Sequence, residues 1–380
     1  MVVLALVALP APGQRPTPTA TPHTSPTLRT EKAQPTTLLV WTPLVVSSDL
    51  ATTARRVTGV AAVAEVRSGA AWLSRWTDDG GRARTAPRSV PIEIAAVDPS
   101  VYQGFVPPEQ RASIELLARG GMLLGDGGAK LRDIEQTGTL EFGDVALDVT
   151  GVIDDGLIGA HEGVVSYETG AEIGIDRVRY LLLALAPGSS ITRVESELRA
   201  LSPQQTKMRV RAPGETPEFR HGDAVLPNVR LKELLGEFSA TPSSGPDIDI
   251  DPTWVRDHIE TVVMPVIGTV RCNRAIVPQM SAAFEEIIRS GLTDLIDPAD
   301  VGGCFSARFL SQDPGAGISH HAWGAAIDLN VSQNPFGKRS NMDPRIVDVF
   351  ERWGFTWGGR WLVPDPMHFE FLRSPLSPKS

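Results

Sequence analysis

Two breaks in composition fix how this chain can fold. From Pro10 to Thr37 the sequence is dominated by Pro and Thr, including PTPTATPHTSPT, and offers little to bury, so it reads as an extended, solvated stalk. From Ser239 to Asp251, SATPSSGPDIDID, small, polar and acidic residues interrupt the apolar periodicity and mark a linker. What remains of the 380 residues is two stretches, each long enough for its own core at ~150 residues per domain. The expected layout is a remnant signal or membrane anchor over 1–9, the stalk over 10–37, an α+β domain of unknown role over 38–235, a linker over 236–250, a functional domain over 251–373 and a tail over 374–380. Met1 to Leu9 is apolar but too short to span a bilayer and lacks a basic lead-in; a buried strand is the alternative reading.

Composition narrows the partners. A formal charge of -9 argues against nucleic acid, which is bound by clustered Lys and Arg. Two cysteines cannot build a disulfide-dense scaffold or a four-thiolate zinc site, but Cys272 and Cys304 can form one bridge in an oxidising compartment. Closing about thirty residues would stabilise by ~3 kcal/mol in the loop-entropy picture.

In the first stretch, Leu38 to Val46, Val90 to Val97, Val145 to Ile153 and Arg177 to Leu185 read as strands. Ile114, Leu117 and Ala118 share one helical face, and Ile191, Val194, Leu198 and Leu201 another. Gly125 to Lys130, GDGGAK, lacks P-loop spacing and reads as a turn. VPIEIAAVDPSVY and GDVALDVTGVIDD faintly resemble the extracytoplasmic domains of bacterial permeases, without assigning a function. In the linker, Asp247, Asp249 and Asp251 imitate a calcium loop. Pro252 stands where its Gly is needed and His258 where its closing Glu belongs, so a helix capped near Asp251 is the better reading.

Elimination directs attention to the last third. HExxH is absent, as are GxSxG and a Ser followed at the third position by Lys. ISHHAWGAAIDLN places His321 seven residues before Asp328, with Gly324, Ala325 and Ala326 small enough for a loop to fold back on the Asp strand. PDPMHFEF supplies His368 beside the alternating Met367, Phe369 and Phe371 of a half-buried strand. Two imidazoles and a carboxylate suit zinc, and three protein ligands leave a fourth position for water, as catalysis requires. Asp365, three residues before His368, is the candidate proton acceptor, and Arg308 in CFSARFL is a cation able to polarise a carbonyl or grip a carboxylate. His320 reads as a bystander or an orienting neighbour. Glu370 is either a ligand-orienting group or a surface carboxylate, and Trp361 packs or contacts substrate. Cys304 as a nucleophile is disfavoured because it leaves the His and Asp clips unexplained.

SHHAWGAAID and DPMHFE, with an Arg-bearing strand ahead of them, resemble the zinc peptidases of the D-alanyl-D-alanine carboxypeptidase and L-alanyl-D-glutamate endopeptidase family (LAS-type metallopeptidases), which share a fold with the hedgehog signalling domain. The resemblance spans roughly Asp251 to Leu372. The pattern Ser-x-His-x-x-Gly-x-Ala-x-Asp falls on Ser319, His321, Gly324, Ala326 and Asp328, with His320 as an added imidazole. It implies one zinc per chain held by His321, Asp328 and His368, Asp365 as base and Arg308 as the substrate or oxyanion contact. In the aromatic stretch WGFTWGGRWLVPD, Arg360 stands where endolysin-type members often have an acid.

The expectation is therefore an α+β chain with a C-terminal hedgehog/DD-peptidase-like zinc domain containing a small antiparallel sheet, preceded by a separate α+β domain. The resemblance implies cleavage of peptidoglycan stem peptides at the extracytoplasmic bacterial envelope or after secretion, with a membrane tether at the N-terminus and an unknown protein partner for 38–235. The alternatives are a non-catalytic zinc-binding envelope module and a permease-associated sensor.

Overall fold

The computed structural model describes residues 36–373 apart from 44, 203–206, 217, 224, 242–244 and 315–316; the expected anchor, most of the stalk and the tail over 374–380 lie outside the described residues. Among these residues the first half is organised by one long hairpin, Val60–Thr77 against Ala83–Val97, turned at Asp78, whose carboxylate accepts from the amides of Gly80 and Arg82. Gly163–Ser166, Met122–Gly125, Val145–Ile153 and Gly138–Phe142 continue from one arm of the hairpin round to the other, so six strands close on themselves. Alternate side chains point inward, and Leu73, Ile92, Ile94, Met122, Leu140 and Val149 share one core. Val178–Leu185 is buried on both faces, which explains its unbroken apolar run: Tyr180 and Leu182 enter one core, Leu181 and Leu183 another. Thr37–Trp41 and then Arg209–Arg211 extend the sheet beyond it.

Three local expectations need correcting. Residues 125–130 are not a turn but lead into the helix Asp126–Arg132; a Cβ on Gly128 would collide with the Glu162 carbonyl, so the glycine permits close packing there. Ala118 is exposed although Ile114 and Leu117 are buried, because the helix Arg111–Leu116 tightens into a 3-10 turn and its face drifts. In the helix Ile191–Leu201 only Val194 and Leu198 are buried, while the terminal Ile191 and Leu201 face solvent.

The described residues of 236–250 do not run through solvent as a plain linker. Phe238, Ala240, Ile248 and Ile250 enter the same core as Leu231, Leu235 and the C-terminal residues, and Ala240–Thr241 pairs with the Ala83–Val97 strand. Lys232 Nζ, fully buried, lies 2.7 Å from Glu162 and 3.1 Å from Glu237, and Arg132 contacts the same two carboxylates at 3.2 and 2.7 Å. Such a network fixes one geometry, since removing any member strands a buried charge. The Asp251 carboxylate caps the helix Pro252–His258 by accepting from Thr253 N at 2.8 Å, as the sequence suggested.

The C-terminal part contains the hairpin Ile259–Met264/Gly268–Asn273 and a four-stranded antiparallel sheet ordered Val301–Gly303, Ala326–Leu329, His368–Phe371, Phe355–Trp357. The helices Val277–Arg289 and Pro344–Arg352 meet through Phe284 and Phe350, ring centroids 5.4 Å apart, and Phe350 also packs on Phe369 of the sheet. The chain is thus α+β, with a small antiparallel sheet at its C-terminal end. Among the described residues no helix is long and apolar enough to cross a membrane.

Candidate metal centre

The sheet register brings the first two groups together. Asp328 lies directly opposite His368 in the antiparallel pair, so both side chains project from the same face, while Ile327 and Phe369 point into the core behind them. His321 arrives from a 3-10 turn, His320–Trp323, whose N-cap Ser319 accepts from the His321 amide at 3.4 Å. Gly324 ends that turn at φ +63, and a Cβ there would lie 2.7 Å from the backbone nitrogen of Asn273. Both the left-handed backbone and the close approach require glycine at this position. Cys272, next to Asn273, is disulfide-bonded to Cys304, whose carbonyl accepts from His321 Nδ1 at 2.8 Å. The bridge therefore anchors the carbonyl that turns His321 Nε2 inward.

Nε2 of His321 lies 3.2 Å from His368 Nδ1 and 3.3 Å from Asp328 Oδ2, and His368 Nδ1 lies 2.9 Å from Asp328 Oδ1. One donor atom from each of these three buried residues lies within 4.8 Å of the others. On the far side of His368, Nε2 donates to Glu370 Oε2 at 2.9 Å, and His320 Nδ1 stands 3.1 Å from the same oxygen. Each candidate ligand imidazole thus has its outer nitrogen fixed, by a carbonyl or a carboxylate, and its inner nitrogen turned toward Asp328 and the other imidazole. That arrangement of imidazole, carboxylate and outer hydrogen-bond acceptors suits zinc.

Charge is strongly organised. Burial would lower the affinity of His368 for a proton, but its hydrogen bonds to Asp328 and Glu370 outweigh it and push the imidazolium up to about 10. Burial likewise opposes ionisation of Asp328, yet hydrogen bonds from His321 and His368 hold it well below the usual carboxylate range. Glu370 is pulled down to about 2, burial being outweighed by His320 and His368. In the metal-free protein the contribution of His368 is full below about pH 6.5 and lost as pH rises through about 10; that of Asp328 is present above about 3.8 and lost on acidification. A zinc ion held at this site would have to displace the proton on His368 Nδ1, so its affinity is expected to rise with pH, by about tenfold per unit near neutrality. Calorimetry in buffers of different ionisation enthalpy should detect about one proton released per zinc at pH 7; zinc uptake without proton release would contradict this charge state.

Asp365 is half-buried on the turn before His368, fixed by its amide donating to Gly358 O at 2.9 Å and by its carbonyl accepting from His368 N at 3.1 Å. Its Oδ1 is buried without a hydrogen-bond partner among the described residues. Burial raises its pKa, the imidazolium of His368 opposes the rise, and Asp328 reinforces it. Arg308 is half-buried, has no ion pair among the described residues and is near enough to stabilise charge on Asp365. Its backbone forms a bridge with Asp247 rather than a full strand. The Trp361 ring lies 5.2 Å from the His368 ring at 54°. Glu370, left open between two readings by the sequence, is the buried acceptor for His368. Glu370→Gln is expected to weaken metal binding by about 10–100-fold, read by competition with a chromophoric chelator; an unchanged affinity would remove its orienting role. Sequence reasoning missed Arg209 and Asp223, which bond from the first half of the chain to the backbone on either side of Trp361; no motif marks either residue.

Residues 313–371 match the family model described as D-alanyl-D-alanine carboxypeptidase. No curated protein matches the chain. Among solved structures, the periplasmic region of MacB from Actinobacillus actinomycetemcomitans is similar at 12% identity over 47% of this chain and 88% of that one, with a TM-score of 0.34. The extracellular domain of the noncanonic ABC-type transporter YknZ from Gram-positive bacteria is similar at 13% identity over 46% of this chain and 98% of that one, TM-score 0.29. A permease-protein domain from Porphyromonas gingivalis is similar at 13% identity over 51% and 94%, TM-score 0.30.

Proposed function

We propose that this chain is a zinc-dependent peptidase of the extracytoplasmic bacterial envelope that hydrolyses peptidoglycan stem peptides, as a D-alanyl-D-alanine carboxypeptidase or an L-alanyl-D-glutamate endopeptidase. The observation that carries the reading is the convergence of His321 Nε2, His368 Nδ1 and the Asp328 carboxylate, with an Asp365 oxygen on the adjoining turn that has no hydrogen-bond partner among the described residues. The peptidase family match over 313–371 supports it, since that segment contains all four residues. The Cys272–Cys304 bridge supports an oxidising compartment.

Zinc held by His321, Asp328 and His368 would supply a Lewis acid that polarises the scissile carbonyl and acidifies water. Asp365 takes the proton as water oxygen bonds to the carbonyl carbon, then delivers it to the amine nitrogen as the C–N bond breaks. Arg308 offers its guanidinium to the carbonyl oxygen or to a terminal carboxylate. Cys304, being disulfide-bonded, has no thiol to act as a nucleophile.

Incubating the purified chain with muropeptides, with and without chelator, tests the assignment. Chelator-sensitive release of D-Ala indicates a carboxypeptidase, and a cut L-Ala-D-Glu bond an endopeptidase. Stoichiometric zinc with no product from any muropeptide would overturn the enzyme reading in favour of a non-catalytic zinc module.

A further inference from the structure

Trp361 sits between two peptide groups that are both gripped from outside the peptidase-like segment. The Arg209 guanidinium donates to the Arg360 carbonyl at 3.3 Å, and the Leu362 amide donates to both oxygens of Asp223 at 3.1 Å. Arg209 and Asp223 are themselves paired at 2.8 Å, with the Asp223 side chain only 10% exposed. One ion pair thus holds the carbonyl before Trp361 and the amide after it. With the Trp361 amide also donating to Gly358 O at 3.0 Å, the backbone that aims the indole at His368 is fixed on both sides. The indole Nε1–H is buried with no acceptor among the described residues, so the ring is held by its backbone and its packing rather than by a hydrogen bond of its own. Arg209 lies in the strand Arg209–Arg211, opposite Trp41 and part of the large sheet, whereas the family match begins at residue 313.

We infer that Arg209 and Asp223 are positioning residues that set Trp361 as the wall of the metal centre against which substrate binds. The large-sheet region therefore completes this site rather than merely carrying it. The consequence for substrate rests on the proposed peptidase reading; the positioning does not.

The test uses the full chain and Asp223→Ala, Asp223→Asn and Arg209→Ala variants. Metal-free hydrogen exchange over 358–363, and acrylamide quenching of the Trp361 emission assigned by difference from Trp361→Phe, report the wall directly. In Asp223→Ala the Leu362 amide is expected to exchange at least about tenfold faster and the indole to become more accessible. Asp223→Asn should fall between it and wild type, because its amide oxygen can still accept. Zinc affinity should stay unchanged, and with muropeptide KM should rise about 5–10-fold while kcat stays within about twofold. Unchanged exchange and quenching in both alanine variants would overturn the inference. So would exchange that rises throughout the sheet together with a lower Tm, which would make the pair a general structural tie. If no chain cleaves muropeptide, the peptidase reading fails while the exchange data still decide the positioning.

Discussion

Replacing His368 is expected to abolish stoichiometric zinc binding and, with it, hydrolysis. The residue sits at the centre of the charge cluster: Nδ1 faces Asp328 at 2.9 Å and Nε2 donates to Glu370 at 2.9 Å. Removing a donor atom should cost more than the about 10–100-fold that follows loss of an outer partner. Alanine also removes a partner shared by two carboxylates whose side chains are 13% and 4% exposed, leaving Asp328 with His321 and Glu370 with His320, at a cost of up to about 3–5 kcal/mol when a buried partner disappears. His368→Gln is therefore the cleaner variant, because its amide can still hydrogen-bond while supplying a poorer metal ligand. His320→Ala is the control: its imidazole contacts Glu370 and the edge of Trp323 and none of the three candidate ligands through an ion pair, and it should retain zinc. Zinc per chain after dialysis, with circular dichroism to verify folding, gives the answer. Full occupancy in His368→Gln would exclude His368 as a ligand.

That the sequence yields this residue at all is a matter of short-range periodicity. Strand alternation aims His368 and Glu370 to one face and Phe369 to the other, and a small-residue turn returns the chain from His321 to Asp328, so local spacing predicts the meeting. Other features are settled by partners far along the chain. Val60–Thr77 is the longest strand described, yet its Ala, Ser, Gly and Glu content hides it, because neighbours on both sides supply the packing that propensity does not. Phe238, Ile248 and Ile250 look isolated among acidic and small residues; only the docking of 236–250 against the C-terminal core buries them. GDGGAK carries two helix-weakening glycines within the helix, and their reasons, the close approach of Gly128 to the Glu162 carbonyl and of Gly127 to the Val229 side chain, appear only in three dimensions. The Arg209–Asp223 grip joins residues 139 or more positions from the backbone it holds, a separation at which no spacing rule operates.

Asp365→Asn should separate metal binding from chemistry. The substitution keeps the size and shape of the side chain, and Asp365 is not among the three residues whose donor atoms converge, so zinc occupancy should match wild type. What it removes is the ability to accept a proton, a role expected to contribute about 10²–10⁴-fold to the rate. The local structure should tolerate it, because the turn is held through its backbone, by Gly358 O and His368 N, and a side chain on Gly358 would press on the Asp365 carbonyl at 2.6 Å. Burial raises the Asp365 pKa in the metal-free chain, whereas a bound dication would oppose that rise; in either case the rate in wild type should decline on acidification as the carboxylate is protonated. Asparagine should lower kcat and flatten that acidic limb together. A general base is required only if both change: a zinc-loaded Asp365→Asn chain that cleaves muropeptide at the wild-type rate would mean that the proton leaves by another route, and the turn before His368 would be a support for the ligand strand.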